Sequence, residues 1–396
     1  MAVNWKSYAS GDESEFLRVS SELIEFGHMD LRGRILRNWI PFIQGRTSIL
    51  QKNLDKLLNG TKLGDLPAIP NFHFLATSLT NGSLCSFSKQ DWIGVSLARH
   101  GPSFITDAKS LPLSRVVAAS AAFPPLFPPV KFKMKGLGKE QEDSVPATHY
   151  LTDGGIFDNL GIAHIRTILD RLGEGPRYTD RTIVKDGFSQ DPFGPESLIP
   201  GCVLMSDASA VFDHKNHSKF QSIISRTIRS SDIMMARLAA RDRLVDSLYR
   251  EQDEAGSRID QENGIKHISI KNEIDSFQWD SGEMYRTQSP SIQKYTKFVR
   301  TDLDRFDGLV MKYLVNHGHE VAADTIHRMD PKVVFRAFQA KLDFPEDSME
   351  DPERLEKYMD TQRSRFRKSN LCGAVNIPIR LIAILAVLAV AYIYFS

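Results

Sequence analysis

The stretch from Tyr150 to Ile162 reads YLTDGGIFDNLGI. Tyr150 and Leu151 lead into Asp153, where two glycines interrupt the run. Glycine enters backbone regions closed to other residues, so Asp153-Gly154-Gly155 predicts an unusual turn that holds a carboxylate at the mouth of a pocket. Taken alone, Asp153 also reads as a turn aspartate bonded to its own backbone. Asp158-Asn159 reads as turn or helix-capping chemistry, and 163–172 as a helix.

Upstream lies Arg115 to Val130, RVVAASAAFPPLFPPV. A short helix of alanine and serine can pack close to its neighbours, and the proline pairs then impose an extended exit. Ser120, set among alanines, reads as packed and not as a nucleophile. The charged stretch from Lys131, KFKMKGLGKEQEDSVPATH, reads as an exposed loop. Downstream lies Leu204 to Ala210, LMSDASA, an apolar strand ending in small polar residues. In open parallel sheets the functional crevice lies at such strand ends, so Ser206 and Asp207 are candidate lining residues beside the plainer reading of a strand-end turn.

Residues 13–60 read as helices, ended by Asn59-Gly60. Asn71 to Thr80 reads as a strand turned by Asn81-Gly82 into a second strand, Ser83–Ser88. Further helices are read over 219–250, 292–315 and 320–326, and a strand over 264–270. Strands alternating with helices argue an α/β layered fold. The 396 residues carry a net charge of +1, which gives no electrostatic case for nucleic acid. Cys85, Cys202 and Cys372 form no Cys-x-x-Cys pair, and no histidine has metal-ligand spacing, so neither a metal nor a cofactor is expected.

Together, the proline-rich run, the Asp-Gly-Gly segment and the strand ending in Asp-Ala resemble the patatin-like phospholipase family. The pair FLATSLTNGSLCSFS and the segment FVRTDLDRF, from Phe298, add to it, and the resemblance covers about residues 35–320. It implies an α/β fold with a patatin-like sheet between helices, and hydrolysis of fatty acyl esters by a Ser/Asp dyad. Carried over, Asp153 stands at the dyad aspartate, supported by Gly154 and Gly155. The serine belongs on a Gly-x-Ser-x-Gly elbow between strand and helix, and the chain contains no such motif. Gly94-Val95-Ser96-Leu97-Ala98 comes nearest, but lacks the last glycine and follows Asp91-Trp92, not an apolar strand. The chain is therefore expected to begin just past the elbow, with the N-terminal strands missing. Two readings follow: a truncated or inactive lipid acyl hydrolase, or a non-catalytic membrane-anchored pseudoenzyme that binds lipid or a protein.

The C-terminus reads IPIRLIAILAVLAVAYIYF from Ile377 to Phe395, apolar apart from Arg380. A helix spans a bilayer with about 20 such residues, and Tyr392 and Tyr394 suit the headgroup layer. Arg363, Arg365, Arg367 and Lys368 precede it and place the main body in the cytoplasm. The expected organisation is a partial patatin-like domain over 1–327, a polar linker over 328–376 and a membrane-anchoring helix over 377–395. Membrane lipids are the expected substrates or ligands.

Overall fold

The computed structural model describes residues 4–38, 45–95, 102–134, 146–165, 203–209, 229–241, 265–299 and 306–329, with short gaps inside these ranges. The helical reading of 13–60 resolves into α2 (Glu13–Gly27), α3 (Leu31–Asn38) and α4 (Arg46–Leu57), after a single turn, α1 (Trp5–Tyr8). Asp12 caps α2 by accepting from the Ser14 and Glu15 backbone N–H groups. Such a cap satisfies donors that the first helical turn leaves open.

Next come β1 (Phe74–Ser78), β2 (Leu84–Phe87), β3 (Asp91–Val95), β4 (Pro102–Asp107), α5 (Leu113–Ser120), β5 (Val130–Lys133) and β6 (Thr148–Asp153). The six strands form one sheet in the order β4-β3-β2-β1-β6-β5. Every neighbouring pair in it is antiparallel. The antiparallel hairpin read over 71–88 is present as β1 and β2, and the other strands continue the same pattern. Short links between β1, β2 and β3 leave no room for a crossover, so these strands must run antiparallel. The Asn81-Gly82 turn is as read: Gly82 sits at φ 72°, and the Asn81 side chain accepts from the Ser83 N–H at 3.2 Å.

Two readings near the sheet are corrected. Val130–Lys133 is strand β5 and not loop; Phe132 points into the core while Lys131 and Lys133 stay exposed. Asp91–Val95 is likewise a strand, with Trp92 fully buried. It leads to its antiparallel neighbour β4, so Gly94 lacks the strand–helix setting of a nucleophile elbow; Ser96 lies outside the described residues. Charged residues masked both strands, because period-2 burial needs only alternate positions to be apolar.

One face of the sheet carries Ala76, Cys85, Phe87, Trp92, Phe104, Phe132 and Leu151, covered by Leu113, Val116 and Ala119 of α5. Phe87 stacks on Trp92 at 5.2 Å, and Trp92 meets Phe104 edge-on at 5.3 Å and His149 at 5.3 Å. Offset and edge-on pairs are the favoured aromatic geometries. The small residues of α5 let it settle close against β1 and β6.

The chain divides into two compact units. The first, Met1–Trp5 with Leu50–Ser206 and Phe212–His267, holds the six-stranded sheet, and the second combines Lys6–Ile49, Asp207–Val211 and Ile268–Ser396. A separate two-stranded sheet pairs β7 (Val203–Asp207) with β8 (Ile265–Ser269). The second unit contains the small pair β9 (Phe277–Gln278) and β10 (Met284–Tyr285), helix α6 (Pro290–Thr296) and the long helix α7 (Gly308–Met329). α7 runs unbroken through 316–319, the gap between the helices read over 292–315 and 320–326. His317, fully buried, explains the continuity: Nε2 bonds the Ile270 carbonyl at 3.0 Å, and Glu320 lies one turn on. Glu320 in turn accepts from the Gln288 N–H at 2.7 Å. No helix among the described residues is long and apolar enough to cross a membrane, and 377–395 lies outside them.

Candidate active site

Asp153 is the last residue of β6 and caps the 3-10 turn Gly154–Ile156. Antiparallel pairing sets it opposite Ala76 on β1. Its N–H donates to the Ala122 carbonyl at 3.2 Å, just past the end of α5, and the Thr152 hydroxyl donates to the same carbonyl at 2.6 Å. Its own carbonyl accepts from the Thr77 hydroxyl at 2.8 Å. The aspartate is thus held from β1, from β6 and from the exit of α5.

The glycines are explained by space. A Cβ built on Gly154 would lie 2.5 Å from the Leu75 carbonyl oxygen, so no side chain fits where the turn crosses β1. A Cβ on Gly155 would lie 2.7 Å from Asn159 Oδ1 and 3.0 Å from Asp153 Oδ1. Gly155 donates its N–H to Asp153 Oδ1 at 2.7 Å. The self-bonded turn aspartate that the residues alone suggested is therefore present. Burial raises the Asp153 carboxyl above the ordinary range, partly offset by the Gly155 bond. A carboxylate raised in this way is a better proton acceptor than one in water.

Asp158 is buried and caps the following helical turn, 162–165, by accepting from the His164 N–H at 2.9 Å. Beneath it lies a cluster that the sequence did not single out. The Ser86 hydroxyl sits between His73 Nδ1 at 3.1 Å and His164 Nε2 at 3.2 Å, and the two rings are 4.9 Å apart. Burial lowers His73 to about 4, and burial together with the neighbouring His73 lowers His164 to about 3. Both imidazoles are thus neutral at neutral pH, and the cluster fastens the far end of the Asp153 segment to β1 and β2. No local signal reveals it, because Ser86 and His164 are 78 residues apart.

Ser120 closes α5 without a hydrogen bond to Asp153 among the described residues. Asp207 is buried in the second unit, where it accepts from the Ser209 N–H at 3.0 Å, from the Ser209 hydroxyl and from Lys271 Nζ at 3.2 Å. Burial works to raise its carboxyl, but the Ser209 bonds and Lys271 outweigh this and leave it below the ordinary range. That is the strand-end turn reading. Among the described residues no group of three or more His, Cys, Asp or Glu side chains could hold a metal.

Residues 8–165 match the family model described as patatin-like phospholipase. The match starts earlier than the resemblance read from the motifs and ends well short of residue 320. No curated protein and no solved structure matches the chain. The matched stretch contains the whole six-stranded sheet, the α5 helix and the Asp153 turn. Over residues 8–165 the chain is thus similar to the patatin-like phospholipase family.

Proposed function

We propose that this chain is a truncated or inactive form of a lipid acyl hydrolase of the phospholipase or lysophospholipase type, in which Asp153 stands at the base position of a Ser/Asp dyad without the dyad serine. The supporting observation is a carboxylate anchored through its backbone on three sides, raised by burial and presented by a glycine turn. In turnover such a carboxylate takes the serine proton, the serine is acylated, and water releases the acid. The sequence contains no Gly-x-Ser-x-Gly. Loss of a nucleophile costs roughly 10⁶ in kcat in a serine protease, so this polypeptide by itself is expected to be inactive. Purified protein and its Asp153→Ala variant should hydrolyse short-chain and phospholipid esters no faster than buffer. Turnover by the parent that Asp153→Ala abolishes would disprove the inactivity while supporting the aspartate's role.

The missing motif also favours a second reading, a non-catalytic protein that uses the old pocket to bind lipid or a protein. Lipid co-purifying with inactive protein distinguishes it. In either case we propose that 377–395 anchors the chain, with the body on the cytoplasmic side, on the strength of its apolar run and the basic residues before it.

A further inference from the structure

We propose that the outer face of β5 and β6, with the β1–β2 hairpin tip, docks on a bilayer surface rich in anionic phospholipid. Tyr150 and Leu79 are 43% and 55% exposed, and the two lie side by side and not scattered singly. They are neighbours by construction: the Leu79 N–H donates to the Tyr150 carbonyl at 2.8 Å, and the Tyr150 N–H donates to the Thr80 hydroxyl at 3.0 Å. Lys131 is the register partner of Tyr150, and its ammonium lies 5.8 Å from the centre of that ring. Lys133, two residues along β5, exposes its side chain on the same face. The described residues of this strip, Leu79 to Asn81, Lys131, Lys133, Thr148 and Tyr150, contain no acid. Two ammonium groups flanking a leucine and a tyrosine match an interface with phosphate outside and acyl chain beneath.

Tyr150 precedes Asp153 by three residues on one strand, about 10 Å at the rise of a β-strand, and alternation sets the two side chains on opposite faces of the sheet. The inference rests on the lipid reading of Asp153 and adds the surface through which the substrate plane is met. It is separate from the proposed C-terminal anchor, which would hold any bilayer whatever its charge.

The test uses the full chain with a fluorescent NBD label on Leu79→Cys, in a background carrying Cys202→Ser and Cys372→Ser; Cys85 is fully buried and escapes labelling. Vesicles of phosphatidylcholine with phosphatidylserine should shift the label's emission to the blue and raise it, more than vesicles of phosphatidylcholine alone. Changing both Lys131 and Lys133 to Gln should weaken the anionic response by about 30-fold, since each lysine near such a surface adds a similar increment. Both side chains are exposed, so the variant should melt with the parent. Equal responses to the two vesicle types, or a response unchanged by the two Gln substitutions, would overturn the proposal. So would a response to soluble heparin without one to vesicles, which would point to an acidic macromolecule instead. The label reports contact and not turnover, so failure here leaves the Asp153 reading standing, and failure of that reading leaves the label's response unaltered.

Discussion

Replacing Gly154 with alanine tests whether the Asp153 turn is held as tightly as its geometry requires. The added Cβ would lie 2.5 Å from the Leu75 oxygen, 2.9 Å from the Leu75 carbonyl carbon and 3.2 Å from its Cβ. Even close C–H···O contacts keep the carbon about 3.3 Å away, so one partner must retreat by roughly 0.8 Å. The obstacle is backbone, and Leu75 is fixed by its pairing with Ser86 on β2. Relief therefore requires β1 and β6 to part near Ala76–Asp153, at the expense of the Thr77–Asp153 bond. Overpacking of this kind costs about 1–3 kcal/mol, and a lost hydrogen bond adds about 1 kcal/mol. A total of about 2–4 kcal/mol corresponds to a melting point lower by about 4–16 °C for a unit of 150–250 residues. Thermal melting followed by near-ultraviolet circular dichroism reads the aromatic core directly. A variant melting within about 1 °C of the parent, well inside the loss expected from overpacking, would refute the claim that Gly154 is required by space.

Two further outcomes follow from the same structure. Gly318 lies inside α7 with nothing within 4 Å of a built Cβ, so Gly318→Ala should stabilise the second unit by about 0.5–1 kcal/mol in urea denaturation; destabilisation would mean that the helix is not continuous there. The folded values of His73 and His164, about 4 and about 3, lie below the ordinary 6.5. The unfolded chain therefore binds more protons in that window, so the pair's contribution is complete above pH 6.5 and is lost as pH falls towards 4 and then 3. A His73→Gln, His164→Gln variant should lose less stability than the parent between pH 6.5 and pH 4, and equal slopes in urea titrations at the two pH values would sink the assignment.

Several features were legible in the residues alone, and each has a local cause. Asn81-Gly82 between alternating runs determines a hairpin, because few residues other than glycine or asparagine accept positive φ. Asp153-Gly154-Gly155 determines a self-bonded turn, because the carboxylate reaches an N–H two residues on. The motif run from Arg115 to Ile162 carried the resemblance to the patatin-like phospholipase family, and that run falls inside the matched segment. What remained hidden depended on partners far along the chain. Lys131 and Lys133 disguised β5 until β6 arrived to pair with it. The helices read over 292–315 and 320–326 left a gap that the structure closes, where buried His317 finds an acceptor in the Ile270 carbonyl. The requirement for Gly154 comes from a carbonyl on β1, and the neutral His73–Ser86–His164 cluster needs three separate segments to meet. Sequence thus decided where the carboxylate turn would form, since that chemistry spans a few bonds. The tertiary structure decided how firmly the turn is held and which way its sheet runs, because steric exclusion and desolvation exist only once distant segments pack.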